Sequence, residues 1–140
     1  MTDTIDFEEM NRKVIAEFRA TGGKAGGMFE GKPLVLVHNV GARTGARRVT
    51  PLIPLVIDDR IFVFATKGGS DEHPAWYHNL VANPEATVEL GTETFPVVAR
   101  VLTGSERDEI YAKQAVAQPQ FADYERGTSR VIPVIELRRS

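Results

Sequence analysis

The chain has no cysteine. That excludes thiolate nucleophiles, cysteine-ligated iron–sulfur clusters and disulfides, and it fits a reducing compartment, the cytoplasm. No stretch approaches the roughly 18 to 20 apolar residues that span a bilayer. Neither sign of charge dominates: 17 Lys+Arg stand against 19 Asp+Glu, a formal net charge of -2. Overall charge therefore gives no reason to expect nucleic acid or an anionic membrane as partner. The G-x-G-x-x-G fingerprint of nicotinamide enzymes is missing. The opening "MTDTIDFEEM" is acidic and interrupted by polar residues, which predicts no secretory signal.

What is present reads as one domain over residues 1–140, long enough to bury a core unaided. Residues 1–24 are expected to form an amphipathic helix and the start of a glycine-rich connector. Phe7, Met10, Val14, Ile15 and Phe18 recur at helical spacing, and Asp6 with Glu9 has the spacing of a capping box. The stripe suits packing on a sheet, with contact to a membrane surface as the alternative. "GGKAGGMFEGK" then reads as a flexible connector.

From Pro33 the texture is β. "LVLVHNV", "RRVTPLIPLVID", "IFVFAT", "ATVEL", "TFPVVARVL" and "RVIPVIEL" read as about six strands. Pro51, Pro54, Pro96 and Pro133 fall inside them, and proline cannot donate a ladder hydrogen bond. A strongly bent antiparallel sheet closing toward a barrel accommodates those prolines better than a flat parallel one. "HPAWYHNLVANP" and "SERDEIYAKQAVAQ" supply two further helices, the second with Ser105 and Asp108 at capping-box spacing. The class is α+β, mainly β.

Two stretches carry chemistry. In "HNVGARTGARRVT", Gly41 and Gly45 permit a tight turn, with Arg43, Arg47, Arg48 and Thr44 around it. Exposed amides beside guanidinium groups suit a phosphate or carboxylate; the alternative is a solvated hairpin whose arginines keep an edge soluble. In "ATKGGSDEHPAWYHNLVANP", Lys67 follows a strand and precedes Gly68 and Gly69, with a proline-started helix five residues on. Trp76, Asn79 and Asn83 share one helical face, where indole and amide suit a flat heterocycle; Tyr77, Leu80 and Val81 form an adjacent face suited to the core. For Trp76 the alternative is a plain core role. Together, two cationic turns at strand ends predict one anionic ligand with a planar part. His38, His73 and His78 have no recognised metal spacing, and "SDEH" lacks a nucleophile-elbow context.

"LVLVHNVGARTGARRVTPL", "FATKGGSDEHPAWYHNLVANP" and "DYERGTSRVIPVIEL" together resemble the deazaflavin-dependent nitroreductases and quinone reductases over nearly the whole chain. The resemblance implies a split β-barrel oxidoreductase using reduced coenzyme F420 as hydride donor. It implies coenzyme contacts from His38, Arg43, Thr44, Gly45, Arg47, Arg48, Thr66, Lys67, Gly68, Gly69, Trp76 and Asn79. The acceptor would be a quinone, a nitroaromatic compound or an activated alkene, with a quinone first. Phe121 and Tyr124 would contact it, and Tyr124 or solvent would supply the proton. Phe121 stands where the nitroreductive branch carries a tyrosine, and it cannot donate one. Family analogy also suggests a homodimer. The alternatives are a split barrel that binds a deazaflavin or lipid-like ligand without turnover, and a flavin mononucleotide enzyme.

Overall fold

A computed structural model describes residues 7–140, apart from the side chains of Phe7, Glu8 and Met28. The expected capping box at Asp6 lies outside the described residues. Among the described residues, seven strands and four α-helices follow one another: α1 (Phe7–Thr21), β1 (Val35–Val40), β2 (Arg47–Leu52), β3 (Leu55–Ile57), β4 (Arg60–Phe64), α2 (Ala75–Ala82), β5 (Glu85–Leu90), β6 (Glu93–Leu102), α3 (Gly104–Ala117), α4 (Gln120–Arg126) and β7 (Val134–Arg139). All ladders are antiparallel, in the order β2-β1-β5-β6-β7-β4-β3.

The sheet curls on itself. Val35 and Val37 from β1 meet Ile61 and Val63 from β4, far along the strand order, in one core that Trp76 and Leu80 of α2 plug from the open side. The opposite face is covered in two places. Val14 and Phe18 of α1 pack with Leu34 and Leu36, and Ile110, Tyr111 and Phe121 of α3 and α4 pack with Phe62 and Phe64. Each buried leucine, isoleucine or phenylalanine side chain contributes about 1.5–3 kcal/mol of transfer free energy.

The strand count departs from expectation at one proline. "RRVTPLIPLVID" is two strands, because the chain breaks at Ile53–Pro54 and crosses from one edge of the sheet to the other. Buried Pro54 has no N–H to continue a ladder, and the crossing closes the half-barrel. Pro96 lies within a central strand, but there its carbonyl faces Ser140, beyond the end of β7.

Three other expectations are corrected. The glycine connector is pinned: Gly26 N–H donates to Glu17 Oε2 at 2.8 Å, Lys24 N–H donates to Thr21 Oγ1 at 3.0 Å, and Phe29 is buried. Gly23, at φ 124°, lies so close to Gly91 that a Cβ would come within 2.8 Å of its Cα. Helix α3 starts one residue before Ser105, with Thr103 as its N-cap and no side-chain capping bond. Helix α4, bounded by Pro119 and Gly127, is a third helix beyond α1 in a segment not expected to be helical.

Candidate functional site

The β1–β2 hairpin and the loop after β4 face each other across a groove. Its volume is about 680 Å³, and Arg43, Thr44, Arg48, Lys67, His73 and His78 are among its lining residues. Among the described residues, no carboxylate lines it. A second, apolar slot of about 420 Å³ lies alongside, between Leu52 and Ile53 on one side and Trp76, Phe121 and Tyr124 on the other. Lys67 lines both.

Strand parity decides which expected residues reach the groove. Side chains alternate between the faces of a strand, and directly paired residues share a face. Arg48 is paired with Asn39, on the face that packs against α2, and lines the groove. Arg47 is paired with Val40 on the opposite face and is not among the lining residues. His38 shares that opposite face. Its Nε2 lies 2.7 Å from Glu89 Oε2, and Glu89 also accepts two hydrogen bonds from Arg19 of α1. Those bonds, Arg19 first, hold the Glu89 carboxyl below its ordinary value. Thus His38 and Arg47, both expected at the coenzyme, lie away from the groove.

The hairpin turn keeps fewer free amides than its glycines suggest. Gly41 N–H donates to Ala46 O and Gly45 N–H to Gly41 O; Ala46 N–H donates to Thr44 Oγ1 and Ala42 N–H to Asn79 Oδ1. Gly45 supplies the left-handed residue at φ 71°. Among the described residues, only the Arg43 and Thr44 amides of residues 41–46 lack an internal acceptor. Attraction for an anion therefore rests mainly on guanidinium and ammonium groups. Arg43, Arg47 and Arg48 have no carboxylate within 4.0 Å among the described residues, whereas Lys67 pairs with exposed Glu72 at 3.3 Å.

Asn79 lines the groove, but both ends of its amide are occupied. Its Oδ1 takes the Ala42 N–H at 2.9 Å, and its Nδ2 donates to Asn39 Oδ1 at 2.8 Å. Asn39 in turn donates to Val37 O and Thr50 Oγ1. This buried network fastens the hairpin to α2, so Asn79 sets the position of the turn. Asn39 was not among the expected site residues; a buried-looking strand interrupted by the polar pair His38–Asn39 was its one signal. Asn83 is exposed at the end of α2. Val81, expected in the core, is 54% exposed, while Trp76 takes the core position and also borders the slot.

Lys67, Gly68 and Gly69 have φ values of 45°, 63° and 87°. For lysine that conformation is uncommon and is held by its surroundings. Gly69 packs against α4, where a Cβ would meet Tyr124 backbone atoms at 3.3 Å. Thr66 and Gly68 border the slot. Phe121 is buried edge-on against Phe64 and Tyr124. The Tyr124 hydroxyl has no hydrogen-bond partner among the described residues. Tyr111, buried behind Phe121, donates its hydroxyl to Phe121 O at 2.6 Å; burial pushes that phenol up to about 12.

The model of the family described as F420H(2)-dependent quinone reductase matches residues 9–138. The F420H(2)-dependent quinone reductase Rv1261c of Mycobacterium tuberculosis (strain H37Rv) is 35% identical over 128 residues, covering 89% of this chain and 86% of the relative. A solved F420-H2 dependent reductase, FDR-A, superposes with a TM-score of 0.70 at 36% identity, covering 76% of this chain and 94% of the other. A structure described as a domain-swapped dimer has a TM-score of 0.72 at 30% identity, covering 96% of this chain and all of that one. With its split-barrel architecture and a family match across almost its whole length, the chain belongs to the F420H(2)-dependent quinone reductase family.

Proposed function

We propose that the cationic groove holds the anionic part of reduced coenzyme F420, and that the adjoining slot receives its flat ring and a quinone. The carrying observation is the junction: a groove lined by three cationic side chains and, among the described residues, by no carboxylate adjoins an aromatic slot at Lys67. The residues fit the coenzyme, since Arg43 and Arg48 offer a multiply charged tail cations without a carboxylate partner among the described residues, and a planar heterocycle needs an apolar wall. When bound, the reduced deazaflavin supplies a hydride.

The chain's own groups do the rest. Arg43 and Arg48 bind the anionic tail through guanidinium contacts, each such charge-assisted bond contributing about 1.5–3 kcal/mol. Thr44 adds a hydroxyl. Lys67 lies where tail and ring meet. Trp76 and Phe121 wall the slot and exclude water, which favours hydride transfer between aligned partners. Tyr124 borders the slot, and its hydroxyl or solvent gives the proton that completes a quinol.

The acceptor is taken to be small and neutral, as the apolar slot favours. Val14 and Phe18 are spent on the sheet, so that part of the α1 stripe offers a bilayer nothing. No helix among the described residues is long and apolar enough to cross a membrane. A homodimer is part of the proposal, supported by the domain-swapped relative.

The test mixes the purified protein with reduced coenzyme F420 and menadione and follows the returning absorbance of the oxidised deazaflavin. Faster recovery with protein than without it is expected. No acceleration across a panel of quinones and nitroaromatic compounds rejects the enzymatic reading. Tight coenzyme binding without turnover would leave a binding protein, and yellow protein with weak deazaflavin affinity would point to flavin mononucleotide.

A further inference from the structure

Arg130 lies in the segment between α4 and β7, outside every set of contacts considered above. Its Nε donates to Ser70 O at 2.8 Å, and its Nη2 donates to Ala65 O at 3.1 Å and Thr66 O at 2.9 Å. Its Nη1 lies 2.8 Å from His73 Nδ1. All four acceptors belong to residues 65–73, the loop that carries Lys67. No carboxylate comes within 4.0 Å of the guanidinium among the described residues. The side chain spans the loop from inside and leaves its charge without a direct counterion.

We infer that Arg130 is a positioning residue for coenzyme binding: it holds the loop in the strained conformation that places Lys67 at the junction of groove and slot. Three successive residues with positive φ need surroundings that over-determine them. A planar fork of five N–H donors can bind acceptors at both ends of a loop at once, whereas an ammonium presents three donors from one point. Two further contacts join the same segments. Thr128 donates to Asp71 Oδ1 at 2.8 Å, and Gly69 abuts the backbone of Tyr124. One frame therefore carries both Lys67 and Tyr124. Because Arg130 can only donate, His73 Nδ1 is the acceptor in that contact and the ring proton sits on Nε2. Burial, then Arg130, then His78 hold the His73 imidazolium below its ordinary value, which keeps that acceptor available at neutral pH.

The inference rests on the groove being the coenzyme's seat, and the experiment separates the two. In steady-state assays with F420H2 and menadione, Arg130→Lys is expected to raise the KM for the coenzyme by more than about tenfold, with kcat at saturation changed far less. Arg107→Lys is the control. Arg107 is more deeply buried than Arg130 and is bonded to Ile132 O and Glu125, away from the loop. It should lower the melting temperature without moving the coenzyme KM. If Arg130→Lys does not fold, Thr128→Val, which loosens the same frame, should raise the coenzyme KM by about threefold. A coenzyme KM within twofold of wild type in whichever of these variants folds overturns the inference, as does a KM rise in Arg107→Lys that matches its loss of stability. Failure of Arg43→Glu with Lys67→Glu to weaken coenzyme binding would instead reject the groove itself.

Discussion

Two arginine-rich regions of this chain are built in opposite ways. Around β7, buried Glu136 receives Arg60 at 2.9 Å and Arg100 at 2.9 Å, and Glu106 takes a second bond from Arg100 at 3.1 Å. Charges there are matched inside the molecule. In the β1–β2 hairpin, Arg43, Arg47 and Arg48 meet no carboxylate among the described residues, although the chain as a whole carries more acids than bases. Seven arginines elsewhere in the described residues pair with carboxylates, whereas the three of this hairpin are left available to an external anion, as the proposed function requires. The pairing pattern, more than the arginine count, supports the proposed anion site.

The largest effect expected on this comparison comes from the matched side. Glu136→Gln should destabilise the fold by about 2–3 kcal/mol, measured by urea unfolding, because arginines arranged around a buried carboxylate lose it. Coenzyme affinity in the folded variant should stay unchanged. The unmatched hairpin predicts the reverse. Arg43→Glu with Lys67→Glu should weaken coenzyme binding by more than about tenfold in an equilibrium titration while the fold persists. Equal loss of stability in both variants would erase the distinction.

Acid sharpens it further. The hydrogen bond from Arg60 first, and that from Arg100 after it, hold the Glu136 carboxyl below its ordinary value. A carboxyl depressed on folding contributes stability that is present above its unfolded value, about 4.3, and is lost as pH falls through the lower folded value. The melting temperature should therefore hold from neutral pH to about 5 and drop below about 4, and Glu136→Gln should flatten that drop. The smallest effect concerns strand parity. Arg48→Ala should lower coenzyme affinity by about threefold or more, whereas Arg47→Ala, one residue away, should change it by less than about twofold. Equal effects would mean that the faces of β2 are misassigned.

Much of the architecture was legible beforehand. The leading helix, the antiparallel texture, the proline-bounded α2 and the bent sheet follow from periodicity and breaker residues. The candidate site was legible as a set of residue types at strand ends, two of which the structure brings to one groove, and the resemblance supplied the coenzyme. Particular residues were not. His38 and Arg47 sit in the expected stretch yet face away from the groove, because a one-residue offset along a strand reverses the side. Asn79 carries the right chemistry but spends it on Ala42 and Asn39, partners 37 and 40 residues away in the chain. Arg130 belonged to the stretch that carried the resemblance, yet nothing local ties it to a loop some 60 residues earlier.

The sequence by itself determined where strands and helices form and which loops carry charge, because propensity, periodicity and breakers act over a few residues. Only the tertiary structure decided which of those charges remain unpaired, which side chains share a face, and that the two cationic loops meet at Lys67. Those outcomes depend on sheet register, on the crossing at Pro54 and on contacts between distant segments, where the free energy of pairing or burial is set by neighbours that the linear order does not name.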